Sequence, residues 1–162
     1  MGKLIDNTNI NLATGSALDY LGNLIGIPRP EGTYPVVEVV FSIDAINEDN
    51  IIIPENTILT TTEDDIVYYT TESCIINAGT LNTSVTAKAQ HIGTSDIVNK
   101  NSITKIVSTI NTNVKVYVNN PTVSTGGTLA DDDYTYRLRL KKWSTTLKTG
   151  TKNAFEYSIK KL

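Results

Sequence analysis

The chain has 162 residues, a net charge of −3, 40% hydrophobic and 19% charged residues, enough for one ordinary domain with a real core, or a core plus a small helical appendage. That charge excludes a global basic field drawing the chain to nucleic acid, and Cys74 as the one cysteine excludes an internal disulfide and any zinc framework. Thr, Asn and Ser suit strands with one wet face and many turns, and Ile and Val runs at low charge exclude a disordered chain.

Residues 1–35 read as an N-terminal helix and a connector. Met1-Gly2-Lys3-Leu4-Ile5-Asp6 turns polar at once, so no signal peptide is expected. No apolar run approaches a membrane span, so a soluble chain made in a cytoplasm is expected. Thr14 or Ser16 can cap a helix, and Ser16 with Asp19 has capping-box-like spacing. Leu18, Leu21, Leu24 and Ile25 recur at helical spacing, and Gly26 and Pro28 stop the helix. Arg29 to Pro35 is a stiff connector.

Residues 36–120 read as a β-rich core. Val37, Val39, Phe41 and Ile43 alternate with Glu38, Val40 and Ser42, and a polar turn follows at Asn47-Glu48-Asp49-Asn50. Short strands are predicted at Ile51 to Ile53, Thr57 to Thr60, Ile66 to Thr71, Ser73 to Ile76, Ser84 to Gln90, Ile103 to Val107 and Val114 to Val118. Val85, Ala87 and Ala89 share one face of theirs. Many short strands with polar turns predict an antiparallel sheet or sandwich.

Residues 121–162 read as a Gly-Gly turn and a C-terminal helix pair. Asp131, Asp132 and Asp133 stand where a helix starts, at the positive end of its dipole. Tyr134, Leu138, Trp143 and Leu147 are its expected buried stripe. Lys148-Thr149-Gly150-Thr151 breaks it, and Thr151 can cap a second helix with Phe155, Ser158, Ile159 and Leu162 on one side. The fold class expected is therefore α+β and β-rich, a sheet or sandwich flanked by helices from both ends. Charge is uneven: acids dominate to Asp65, whereas Arg137, Arg139, Lys141, Lys142, Lys148, Lys152, Lys160 and Lys161 face one acid, Glu156. A basic helical stretch of this kind is a solvated face, a contact with an acidic neighbour, or a nucleic-acid or anionic-lipid contact, in that order.

Little in the sequence points to catalysis. His91 precedes a strand-end turn at Ile92-Gly93, and nothing places it within reach of Cys74, which reads as a buried small hydrophobe. Asp44 to Asn50 lacks the ligand alternation and central Gly of a calcium loop. Gly126-Gly127 lacks the lysine of a phosphate loop and reads as a tight turn. A carboxylate pair for glycoside hydrolysis is a matter of folded distance. No catalytic residue, cofactor or metal is expected.

The order of motifs is more specific than any one of them. Ala13 to Gly22 followed by Gly26-Ile27-Pro28-Arg29 resembles the helix-and-arginine opening of the baseplate J-like family. Ile53-Pro54-Glu55-Asn56-Thr57 resembles that family's Ile-Pro-Ala-Gly-Thr turn, and Tyr68-Tyr69-Thr70-Thr71 its Phe-x-Thr segment. Ala87 to Ile103 resembles its alternating strand, Gly turn and following Ile. Asn120-Pro121, Gly126-Gly127, Asp131, Asp133, Arg137 and Arg139 resemble its Asn-Pro, Gly-Gly, acid-acid and Arg-x-Arg series. Asn56 replaces the turn Gly, and Asn also tolerates left-handed angles. Asp96 stands for an Asn, and Asp131 for a Glu. Members carry a helical segment before the first motif and an α/β region after the last helix, so the chain is expected to be a piece of a longer subunit.

The resemblance implies a structural, non-enzymatic wedge component of a phage-tail baseplate or related contractile injection machine, assembled in the host cytoplasm. Its implied partners are other wedge and hub subunits and copies of itself. Arg137 and Arg139 diverge on a helix, so one is expected to pair inside the domain, with Asp133 in reach, and the other to face a partner. Phe155, Ile159 and Leu162 form a stripe that a partner or a following domain covers. Two other classes stay open. A glycan- or receptor-binding β module of a tail fibre would need a groove of exposed aromatics such as Tyr68, Tyr69 and Tyr117. A β-rich hydrolase would need a pocket with paired, shifted carboxylates.

Overall fold

A computed structural model describes residues 9–63 and 65–146. The chain divides into two compact units, one of residues 1–31 with 130–162 and one of residues 32–129. The predicted second C-terminal helix lies outside the described residues.

The unit of residues 32–129 is all β. Its strands are β1 (Pro35–Ile43), β2 (Ile51–Ile53), β3 (Ile58–Thr61), β4 (Val67–Thr70), β5 (Cys74–Ile76), β6 (Asn82–Ala89), β7 (Ile103–Ile106), β8 (Val116–Asn119) and β9 (Thr125–Gly126). Seven of them form one antiparallel sheet in the order β7-β3-β4-β6-β1-β8, with β9 on the same edge of β1 as β8. β2 and β5 form a separate two-stranded ribbon.

Alternation decides which face is buried. Val37, Val39, Phe41 and Ile43 on β1 point inward, as do Val85, Ala87 and Ala89 on β6. They meet Leu59, Tyr68, Ile103 and Val118 in one core, which Ile51, Ile53 and Ile76 of the ribbon join. The predicted strands are all present, within a few residues of the expected bounds. β9 is the addition, and it lies in the Gly-Gly stretch expected as a turn. Gly126 and Gly127 have φ of 77° and 73°, and a Cβ at Gly127 would stand 2.8 Å from the Gly93 carbonyl oxygen. A side chain there would be both strained and crowded.

The two family-like threonine motifs bond to each other. The Thr57 and Thr70 hydroxyls both donate to the Pro54 carbonyl, at 2.6 and 2.9 Å, and the Thr57 N–H donates to the Thr70 hydroxyl. Asn56 takes φ 61° in that turn, the left-handed angle its side chain tolerates.

The sheet curls until its terminal strands β7 and β8 approach, and Asn120 spans the seam. Its side-chain oxygen accepts the N–H groups of Ser102 and Ile103, at 2.9 and 2.8 Å. Its side-chain nitrogen donates to the carbonyls of Asn99 and Thr122, at 2.7 and 2.8 Å. Its backbone carbonyl accepts the Asn101 N–H. The amide is fully buried with every donor and two acceptor positions used.

The unit of residues 1–31 and 130–162 contains α1 (Gly15–Leu24) and α2, residues 133–146 of the described chain. Its core is Ala13, Leu18, Tyr136 and Leu140, with Leu21, Ile25 and Ile27 packed around them. The expected stripes need correction. Leu24 is exposed, as are Tyr134 and Leu138, while Tyr136 and Leu140 point inward. Spacing alone allowed either face of α2; the Tyr136 hydroxyl, donating to the Ile27 carbonyl at 2.6 Å, fixes which one is buried.

Asn120→Ala removes the side-chain partners of two N–H groups and two carbonyls at the seam. At roughly 1 kcal/mol or more per stranded group, the β unit should lose about 3–5 kcal/mol. Urea unfolding followed by tryptophan-independent far-UV dichroism measures this; a loss under about 1 kcal/mol would show that the seam does not hold the sheet.

Candidate protein interface

The residues singled out in the first and last zones come together around Arg29. Pro28 sets the chain's direction after α1, and Arg29 then reaches back. Its Nε donates to Asp19 Oδ1 and its Nη2 to Asp133 Oδ1, both at 2.6 Å, while Nη1 donates to the Asp131 carbonyl at 2.9 Å. The guanidinium lies over the Tyr136 ring, 4.6 Å from its centroid. Burial opposes the Arg29 charge, but the two carboxylates outweigh it and raise its pKa.

Each aspartate of the triplet has a separate task. Asp132 caps α2: its Oδ1 accepts the Thr135 N–H at 2.7 Å, which with the Thr135 hydroxyl lowers its pKa. Asp133 Oδ2 accepts the Gly15 N–H at 2.9 Å. That bond, followed by Arg29, lowers the Asp133 pKa. The start of α1 is thus capped by Asp133, since Thr14 makes no side-chain cap bond, and the expected Ser16–Asp19 box is replaced by the Asp19–Arg29 pair. Asp131 Oδ2 accepts Arg139 Nε at 2.8 Å.

Of the predicted interface residues, Arg137 points inward. It donates to the Ile10 and Ala13 carbonyls, at 2.9 and 2.7 Å, and the carboxylate expected for it, Asp133, is held by Arg29 and Gly15. Arg139 is half exposed. Phe155, Ile159 and Leu162 lie outside the described residues.

The β unit offers little chemistry among its described residues. The Asp96 carboxylate accepts the backbone N–H of His91 and the Ser95 hydroxyl, and it pairs with His91 Nδ1 at 3.0 Å. Desolvation works against its charge, but these bonds lower its pKa. Cys74 lies in the ribbon opposite Ile53, and burial, then Glu72, pushes its thiol up to about 11. Both causes favour the protonated thiol, the less reactive form. Tyr68 is buried, with its hydroxyl donating to the Asp96 carbonyl at 2.6 Å. It therefore cannot join Tyr69 and Tyr117 in a sugar-stacking surface. A cleft of about 350 Å³ is lined by Thr61, Thr62, Glu63, Asp65, Asn99 and Asn101, among others. The described residues include no cluster able to hold a metal ion and no helix long and apolar enough to cross a membrane.

The model of the Baseplate J-like protein barrel domain matches residues 38–127, which lie inside the β unit and include the Asn120 seam. The chain belongs to the Baseplate J-like family. One solved structure with a similar fold is a chain of the anti-feeding prophage (AFP) baseplate, 6-fold symmetrised, determined by cryo-EM. It is 16% identical with a TM-score of 0.52, and the match covers 74% of this chain and 40% of that one. At that identity the likeness is one of fold, and this Baseplate J-like chain spans well under two thirds of that chain's length. Among curated proteins nothing matches.

Two measurements probe the Arg29 cluster. A Cβ at Gly22 would stand 1.7 Å from the Tyr136 hydroxyl oxygen, so Gly22→Ala should destabilise the helical unit by about 1–3 kcal/mol in thermal melts. Asp132 and Asp133 have depressed pKa values. Their stabilisation is present above the ordinary carboxylate pKa of about 4 and is lost as pH falls through the folded value. The helical melting midpoint should therefore hold from pH 7 to 5 and fall below about 4, and Asp133→Asn should lower it at pH 7 and flatten the acid limb.

Proposed function

We propose that this chain is a structural component of the baseplate of a phage tail or related contractile injection machine. It acts there as a wedge element, through contacts with other wedge and hub subunits and with further copies of itself. The observation that carries the reading is the family barrel match over residues 38–127. The Arg29 cluster supports it: titratable groups that would serve catalysis elsewhere are bound to one another and to helix ends, which stiffens a unit that presents surfaces. In this reading the chain has no enzymatic activity, needs no cofactor and does not bind nucleic acid. It resides in the tail baseplate after assembly in the host cytoplasm. Arg139 faces partner subunits, and Phe155, Ile159 and Leu162 form a further contact stripe.

Immunogold labelling of intact particles with an antibody to this chain tests the location. Gold should gather at one end of the tail; gold along the fibres, or saccharide binding by the purified chain on a glycan array, would favour a receptor-binding module instead. Arg139→Glu tests the contact. Its pair with Asp131 is exposed, so the melting midpoint should move by no more than about 3 °C. Incorporation into particles should fall at least about tenfold, and unchanged incorporation would remove Arg139 from the interface.

A further inference from the structure

No lysine or arginine lies between Arg29 and Lys88, and the β2–β5 ribbon falls inside that stretch. The unit of residues 32–129 holds ten acids and four lysines, a net −6; the other unit holds seven acids and ten cations, a net +3, and together they give the chain's −3. The two units therefore carry opposite charge.

The ribbon concentrates the negative side around an apolar centre. Ile52 and Ile75 are cross-strand partners, and both face outward, 58% and 41% exposed. Exposed Glu48 and Asp49 stand just before β2, so they lie at one end of this pair; exposed Glu55 and Glu72 lie at the other. A bare isoleucine pair says nothing about what covers it. An acidic rim does: its complement is a face with an apolar centre and cations beside it.

This chain carries such a face. On α2, Tyr134 and Leu138 are one turn apart and 67% and 48% exposed, and Lys141 and Lys142 are exposed on the next turn. Lys142 is about 6 Å along the helix from Leu138, with a side chain of similar reach, and Glu55 and Glu72 each stand two residues beyond the paired strand ends at Ile53 and Cys74. With the apolar pairs in contact, the lysines reach the ribbon's acids.

We propose that the α2 face of one copy docks on the β2–β5 ribbon of a second copy. The inference rests on the assembly role proposed above and names the surfaces. Because the two faces differ, the contact is heterologous: each copy keeps one face of each kind, and association continues into rings or open chains rather than stopping at a two-fold dimer.

Sedimentation of the 162-residue chain over a concentration series, at about 0.05 and 0.5 M salt, tests the proposal. The average mass should rise past that of a dimer and fall back in high salt. The triple change Glu48→Lys, Glu55→Lys, Glu72→Lys should weaken association at least tenfold, and so should Lys141→Glu with Lys142→Glu. Mixing these two variants should restore it, because each then meets its opposite charge. Ile52→Ser, at an exposed position, should weaken it while leaving the circular dichroism unchanged, and it serves if a charge variant fails to fold. A strict monomer at every concentration overturns the proposal. So does a dimer indifferent to Lys141 and Lys142, which would indicate ribbon-on-ribbon pairing, or two folded variants whose mixture does not associate. A monomeric chain still labelled at the tail end would overturn this contact alone and leave the baseplate reading standing.

Discussion

A sheet that curls toward closure ends with two edges that do not match. Here the mismatch is absorbed by one amide. Asn120 supplies acceptors to the chain leading into β7 and donors to the loops on either side, so backbone groups that lack a neighbouring strand are still paired. The polar groups inside the β unit are likewise paired: Tyr68 keeps its hydroxyl on a backbone carbonyl, and buried Thr57 and Thr70 keep theirs on the Pro54 carbonyl. No residue with a shorter side chain or a single polar atom could make the four side-chain bonds, and aspartate would lack both donors.

Arg29 has the corresponding position in the helical unit. The guanidinium's fixed fork addresses Asp19, Asp133 and the Asp131 carbonyl from one plane, which lysine could not do. The aromatic face of Tyr136 lies beneath it, and that ring's hydroxyl in turn requires a glycine at residue 22. Packing and electrostatics are thus coupled through a few atoms. The carboxylates of Asp19, Asp131, Asp132 and Asp133 are committed to helix starts and to arginine.

The β core was legible in the sequence because alternation has a period of two and leaves only one face to bury. Phe41 and Ala87 fell inward as their spacing required. The ladder order was not legible, nor was β9, since a two-residue pairing at Thr125 and Gly126 carries no hydrophobic pattern. On α2 the sequence offered two apolar faces, Tyr134 with Leu138 and Tyr136 with Leu140. Propensity does not separate them; a glycine on α1, more than a hundred residues away, does. The same distance hid the caps. Thr14 and Ser16 had the right local chemistry, but Asp133 took the Gly15 N–H. The motif order identified the family correctly: the turn, threonine and Asn-Pro motifs fall inside the matched residues 38–127, where they form the turns and the seam of the barrel.

The chain enters and leaves the β unit at adjacent points. Thr33 and Thr128 exchange backbone and hydroxyl hydrogen bonds, and in the helical unit the Pro30 carbonyl accepts the Asp131 N–H at 3.2 Å. With its ends held together, the barrel is a closed loop in the path of the helical frame, and the cost of such a loop grows only with the logarithm of its length, about 0.6 kcal/mol per doubling. Evolution can therefore enlarge, decorate or exchange the insert as a cassette while the arginine-stitched frame keeps its own sequence constraints.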